Sequence, residues 1–204
     1  MIIDVAALTN RVLALLIEPA KTWRIIGNEP DSGRLLVTRY VLLLGSVAAV
    51  FSFLGGLLGG NGFVFSLVFA VVRLGVAVGS VWLMGLLINA MAPSFGTVRN
   101  DNAAFKLMAY ASTPVWVAGL LAVIPQLSIL AVLLGVGYSL YLFHVGCPIV
   151  LRTPESRTWG YAFASVGAWF GIMLVASLIL YALVALLFAP AAILGAAVGN
   201  LPAT

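Results

Sequence analysis

Long apolar runs separated by short polar segments dominate the chain, and the longest of them extends through Ala103–Gly146. From Leu107 onward this run holds no Asp, Glu, Lys or Arg, which leaves room for two spans of roughly 17–24 residues, the length that a hydrocarbon core about 30 Å thick requires. Ile124-Pro125-Gln126 divides it, because proline cannot donate a backbone hydrogen bond and glutamine is poorly placed in lipid. The pattern therefore predicts two membrane helices joined by a tight turn.

The same pattern along the whole chain predicts an all-α, polytopic membrane protein with a bundle of five transmembrane helices. We expect residues 1–33 to form an amphipathic N-terminal helix and a connector, and residues 34–204 to form the membrane domain. The predicted spans are residues 35–58, 63–91, 107–124, 127–151 and 160–188.

The N-terminal segment, residues 1–17, has the periodicity of an amphipathic helix. Its apolar positions recur at helical spacing, whereas Asp4, Arg11 and Glu18 repeat every seven residues on another face. It is too short and too charged to span, so it either lies in the membrane interface or packs against the cytoplasmic end of the bundle. Residues 19–33 are predicted to be a polar connector, with Trp23 at interfacial depth.

Composition narrows the class of protein further. Hydrophobic residues make up 63% of the chain and charged residues 8%, whereas a soluble domain is nearer a quarter charged. The net charge is only +4, and the basic residues form no run and no patch interleaved with aromatic residues, so nucleic acid is not an expected partner. With one cysteine, Cys147, the chain has neither an intramolecular disulfide nor a multi-cysteine metal site, and we expect no cofactor.

The basic residues predict the orientation, because cytoplasmic loops are enriched in Lys and Arg. With the N-terminus inside, the outer segments 59–63, 125–126 and 189–204 contain no Lys or Arg. We therefore expect a cytoplasmic N-terminus and an external C-terminus. The basic residues then on the cytoplasmic side are Arg11, Lys21, Arg24, Arg34, Arg99, Lys106, Arg152 and Arg157.

Three segments resemble the Yip1 domain membrane proteins in their bacterial form. They are EPAKTW at Glu18–Trp23, the run Ala109–Pro125, and the segment Tyr138–Phe163. The resemblance implies a five-span, N-in layout in a bacterial cytoplasmic membrane. Eukaryotic members of the family are similar to trafficking factors that bind Rab-type GTPases, assemble with one another and shape membranes. Their long polar N-terminal domain and acidic DLxGP-type element have no counterpart in this sequence, so the resemblance implies a fold more than that role.

Arg73 is the first candidate site residue, because it is the charged residue deep in a predicted span. It lies about nine residues from the outer end, hence ~13 Å down. No predicted span holds an acid to pair with it, and the hydroxyls at similar depth are Ser46, Ser52, Ser177 and Tyr181. Two interpretations of Arg73 stay open. It is either a structural arginine that binds carbonyls or snorkels outward, or a residue that contacts an anion or a lipid phosphate.

A second polar group is expected toward the inner ends of the spans. It comprises Asn89 at the end of the second span, Tyr110 at the start of the third, and Tyr138, Tyr141 and His144 at every third position of the fourth. His144 would suit a proton-linked role, since histidine titrates near neutrality. A hydrogen bond to a neighbouring helix is the commoner role of an intramembrane histidine.

The function predicted from these features is non-enzymatic. The sequence contains no Walker A loop, no G-x-S-x-G, no H-E-x-x-H, no CxxC and no carboxylate pair in a span. We expect a membrane organiser or scaffold whose partners are the lipid bilayer and either another membrane protein or a second copy of the chain. The alternatives are a transporter or lipid-handling protein that uses Arg73, and an intramembrane enzyme that uses His144.

Overall fold

The computed structural model describes residues 5–30, 32–124, 127–172, 174–175 and 178, and the described part is all-α. The chain divides into two compact units, Met1–Ser165 and Val166–Thr204, and the described residues of the second unit are helical. In the first unit the helices are α1 (Val5–Ile17), α2 (Pro19–Asn28), α3 (Gly33–Leu58), α4 (Phe63–Met91), α5 (Asp101–Ala111), α6 (Thr113–Ala118), α7 (Ser128–Val150) and α8 (158–165).

Four stretches of the described chain are long and apolar enough to cross a membrane: Gly33–Leu58, Phe63–Phe95, Asp101–Leu121 and Ile129–Val150. The prediction of an all-α membrane bundle is confirmed to this extent. The fifth predicted span, residues 160–188, falls largely outside the described residues and stays a prediction. The predicted turn at Pro125-Gln126 and the tail 189–204 also lie outside them.

Helices α3 and α4 form an antiparallel pair joined by a glycine turn. Gly60 and Gly62 have φ values of 80° and 76°, a region that glycine adopts without steric cost. The two backbones approach closely, since a Cβ placed on Gly56 would lie 2.7 Å from Ser66 Oγ. Helix α3 also contains a turn of π-helix at Val37–Val41.

The third span is the most enclosed of the four candidate spans. Of its most apolar 18-residue stretch, 67% of the residues are buried, against 17% for the span containing α4. It is broken at Ser112, where α5 ends and α6 begins. Pro114 has no N–H to continue the helix, and the break is closed by side chains. The Thr113 hydroxyl donates to Tyr110 O at 2.6 Å, and Trp116 Nε1 donates to Ser112 Oγ at 3.0 Å. A 3₁₀ turn, Gly119–Val123, completes this span.

Helix α7 returns against α6. A Cβ on Gly135 would lie 2.9 Å from the Ala118 side chain, so this glycine permits the close approach of the two helices. At its other end, Thr97 donates a hydrogen bond to Leu151 O, and Tyr161 of α8 donates one to Ile88 O of α4. These bonds join the ends of α4, α7 and α8.

The N-terminal segment differs from its prediction. Residues 19–28, predicted to be a polar connector, form α2, a helix that begins with Pro19 at its first turn, where proline is well accommodated. Trp23, predicted at interfacial depth, is 0% exposed. Because Thr22, Trp23 and Ile26 make one buried face, α2 is part of the bundle core.

Candidate functional site at the charged end of the bundle

We use the term charged end for the end of the bundle formed by residues 28–30, 32–34, 95–102 and 151–157. At this end, the side chain of Lys106 on α5 is buried, with 3% exposure. Its Nζ donates to Glu29 O at 2.6 Å and to Ile26 O at 3.2 Å. These carbonyls are at the C-terminal end of α2, where a helix leaves acceptors without intrahelical donors and favours a cation. Lys106 therefore holds α2 against the third span.

Next to Lys106, the start of α3 is fixed to the start of α5. Gly33 N donates to Asn102 Oδ1, and Arg34 Nη2 lies 2.6 Å from Asp101 Oδ2. A Cβ on Gly33 would lie 2.2 Å from Asn102 O, so a residue with a side chain does not fit. Asn100 caps α5 by accepting from Ala103 N at 3.0 Å. The Asn-Asp-Asn sequence thus caps α5 and also binds the start of α3.

Helices α1 and α2 form an antiparallel hairpin at the same end. Arg11 makes an ion pair with Glu29, and the Thr22 hydroxyl donates to Ala14 O at 2.9 Å. At the corner of the hairpin, Leu16 O accepts from the Tyr138 hydroxyl at 2.6 Å. The hairpin is thus joined both to itself and to α7.

The inner face of this hairpin is fixed by aromatic packing. A Cβ on Gly146 would lie 2.5 Å from the Trp23 ring, so α7 presents a flat glycine surface to that ring. Trp23 makes an edge contact with Tyr110 at 6.3 Å between centroids, and Tyr110 packs on Tyr40 at 4.7 Å. The Tyr40 hydroxyl lies 2.9 Å from Thr113 Oγ1. Rings and hydroxyls therefore join α2, α3 and the third span.

The second predicted polar group is not a single cluster. Asn89 donates to Asp101 Oδ1, while Tyr110 lies in the aromatic contacts beside Trp23. Tyr138 bonds the hairpin corner, and Tyr141 is 41% exposed with its ring 5.4 Å from that of Tyr138. These residues serve separate contacts.

His144 lies between α7 and the start of α8. Its Nδ1 is 2.5 Å from Thr158 Oγ1, and its ring stacks on Trp159 at 4.2 Å between centroids. The Thr158 hydroxyl also lies 2.9 Å from Glu155 O, which it approaches as a donor. A hydroxyl has one proton, so with that proton on Glu155 O the imidazole donates from Nδ1. This geometry is that of a contact between helices.

Arg73 lies on α4 facing α3, and its Nη1 donates to Ser52 Oγ at 3.0 Å. Ser52 is buried, and among the described residues it is the one hydrogen-bond acceptor of this guanidinium. Ser46 instead donates to Leu42 O of its own helix at 2.7 Å. The other two predicted hydroxyls, Ser177 and Tyr181, lie outside the described residues.

Sequence reasoning did not select the residues that carry most of these contacts. Lys106 is predicted only as an orientation signal, and Asn102, Gly33 and Gly146 have no predicted role, because their partners are far away in sequence. The signal that was available is the Asn-Asp-Asn of residues 100–102 directly before an apolar helix, which is typical of a helix N-cap.

Within the described residues, no three His, Cys, Asp or Glu side chains lie together as a metal site. The fold and the charged end together define an integral membrane protein built as a helical bundle, whose buried polar groups join helix to helix. The chain matches the Yip1 domain family over residues 13–178, and it therefore belongs to that family. No curated protein and no solved structure matches it significantly.

Proposed function

We propose that the protein is a non-enzymatic membrane organiser that acts by associating with lipid and with membrane protein partners. One observation carries the proposal: at the charged end, three exposed arginines have no carboxylate partner among the described residues. They are Arg99, Arg152 and Arg157. A surface of this charge favours anionic headgroups or an acidic partner surface.

The buried polar groups support the same proposal. Lys106, Asn102 and Tyr138 form hydrogen bonds that join one helix to another, and His144 contacts α8. A general acid or base needs reach to a substrate proton, and these groups are engaged within the bundle. We further propose a bacterial cytoplasmic membrane as the location, with the charged end and the N-terminus on the cytoplasmic side, as the positive-inside rule favours.

Native mass spectrometry of the full chain, extracted together with its surrounding membrane, tests the proposal. We expect a reproducible second polypeptide, a second copy of the chain, or enrichment of anionic lipid over the bulk membrane. Replacing Arg99, Arg152 and Arg157 by glutamine should lower that enrichment, while Lys106 and the fold stay unchanged. A bare monomer with lipid in bulk proportion would contradict the organiser role.

Arg73 supports a second candidate function, lipid or anion handling within the membrane. Arg73 lies about ten residues into α4, so its backbone is ~15 Å from that helix end, and its guanidinium has one neutral acceptor among the described residues. Residues of this kind line a cavity or face the interior of a bundle. Loss of one stoichiometric lipid or of a transport signal in Arg73→Ala, with thermal stability retained, would favour this function. Loss of folding alone would make Arg73 structural.

An enzyme that uses His144 is the remaining alternative. If His144→Ala fully complements a deletion phenotype, the histidine is a helix contact and the enzyme hypothesis fails. A null phenotype in a stably folded His144→Ala protein would instead support the enzyme hypothesis.

A further inference from the structure

We propose that the α1–α2 hairpin is re-entrant: its corner reaches the middle of the bilayer, and the polar face of α2 holds anionic phospholipid headgroups below their normal level. The leaflet at the charged end is thereby thinned beside α2. This inference deepens the proposed organiser function and rests on it, since it names the lipid contact through which the protein acts.

The depth of the corner follows from its contacts with α7. Leu16 O bonds Tyr138, which lies ten residues after Ser128 and 12 before Val150, so it is ~15 and ~18 Å from the two ends of α7. Leu16 also lines an apolar groove together with Leu134 and Gly135, which lie still closer to the far end. The corner is therefore level with the middle of a spanning helix.

The course of the two helices fits this depth. Along α2, Trp23 lies against Gly146 and Gly27 against Ile149, so α2 runs from the middle of α7 toward the charged end. The Arg11–Glu29 ion pair and the Thr22–Ala14 hydrogen bond bring α1 back alongside it. Ten residues of α2 cover ~15 Å, which matches half of a hydrocarbon core.

The two outer faces of the hairpin have opposite chemistry. Near the corner, α1 exposes Leu13 at 48% and Ile17 at 74%, which suits acyl chains. Along α2, the Glu18–Lys21 pair at 2.9 Å leaves side chains 56% and 75% exposed, and Arg24 and Asn28 are exposed on the next turns. Spacings of three and four residues place these groups on one helix face.

Charged side chains at this depth are costly in hydrocarbon and are accommodated when headgroups and water move in and the bilayer thins. Arg24 has no carboxylate partner among the described residues, and Lys21 shares the one acid on this face. A phosphate supplies the missing anion for a guanidinium. A phospholipid also supplies the acyl chains that the adjoining Leu13 and Ile17 require, so one kind of molecule satisfies both faces.

The test measures depth with a nitroxide in the full chain, held in nanodiscs of phosphatidylcholine and phosphatidylglycerol. Ala20→Cys places the label on α2 near the corner, and Leu42→Cys places it at an exposed position of α3. Gly119 lies against Ala48 and Gly135 against Ala118, so Leu42 lies ~9 Å from the level of Gly135 toward the charged end. Ala20 lies four residues past Leu16 and its contact with Tyr138, hence ~11 Å from the same level, so the two label depths match. Cys147 is fully buried, and the parent protein serves as the labelling blank.

We expect the Ala20 label to meet a water-soluble nickel chelate several-fold more often, relative to oxygen, than the Leu42 label does. Equal and low chelate access at both sites would overturn the thinning. Because the proposed function is measured by retained partners and lipid, it can stand when this result fails.

Lipid contact is tested by combining Lys21→Gln with Arg24→Gln. We expect the Ala20 label to lose chelate access and the protein to retain less phosphatidylglycerol in native mass spectrometry. The matched control, Arg99→Gln with Arg157→Gln, removes two exposed charges elsewhere and should leave the Ala20 label unchanged. If the Ala20 label keeps its high chelate access after the Lys21 and Arg24 substitutions, the proposed headgroup contact is overturned.

Discussion

The Nζ of Lys106 lies 2.6 Å from the carbonyl oxygen of Glu29, which is 77 residues earlier in the chain. The ammonium is buried against the end of α2, and among the described residues no carboxylate pairs with it. The N-terminal hairpin is thus held to the membrane bundle by a lysine acting as a helix C-cap.

Lys106→Met should loosen the hairpin, because it keeps the length of the side chain and removes the donor from Glu29 O and Ile26 O. We expect a loss of about 1–3 kcal/mol, the usual cost of leaving buried partners unpaired, with faster proteolysis near residues 28–34. Thermal unfolding in detergent measures the first effect. Lys21→Met, at an exposed lysine, should stay within about 0.5 kcal/mol and is the control.

Gly146→Ala should destabilise the protein, because the new methyl group would lie 2.5 Å from the buried Trp23 ring. Overpacking of this kind typically costs about 1–3 kcal/mol, and the tryptophan emission should shift as the ring moves. Gly137→Ala on the same helix meets nothing within 4 Å and should be neutral or stabilising. Equal melting temperatures for the two variants would refute the packing of α2 on α7.

The Arg34–Asp101 pair should contribute little, because its side chains are 54% and 48% exposed. A double-mutant cycle with Arg34→Gln and Asp101→Asn should give a coupling free energy below about 1 kcal/mol. Since Asp101 also accepts from Asn89, Asp101→Asn alone should cost more than Arg34→Gln alone. A coupling above about 2 kcal/mol would show that the pair is shielded from solvent.

Tyr138→Phe should free the corner of the hairpin, because it removes the donor from Leu16 O and leaves the ring in place. Amide hydrogen exchange across α1 should speed up, while global stability falls by about 0.5–1.5 kcal/mol. Tyr141→Phe is the matched control, because Tyr141 is half-exposed on the same helix. Unchanged exchange in α1 after Tyr138→Phe would contradict the placement of the corner.

The spanning helices were predictable because apolar length is a local property of the sequence. Phe63–Met91, for example, was predicted with the bounds that the structure has. Helix α2 was not, because it has one charged and one buried face within ten residues, too few for a clear period. Proline at its start and the spaced Thr22, Trp23 and Ile26 were the available signals.

The candidate site was less predictable than the fold for the same reason. Arg73 could be selected because its depth follows from counting residues, and Ser52 was among the hydroxyls expected at that depth. Lys106 could not be assigned a buried role, because its acceptors are backbone carbonyls, which no sequence motif marks. Contacts made by glycine, as at Gly33 and Gly146, likewise depend on which surface comes opposite.

The bond between Tyr138 and Leu16 also has a consequence for biosynthesis. The two residues are 122 positions apart, so the hairpin leaves the ribosome long before its partner helix exists. At about 5–20 residues per second, that interval is on the order of ten seconds. During this interval, neither Lys106 nor α7 has been made, so the hairpin has no helix to pack against and its apolar face stays at the membrane surface. The two helices of the hairpin are therefore made before the spans that hold them and reach their places after them.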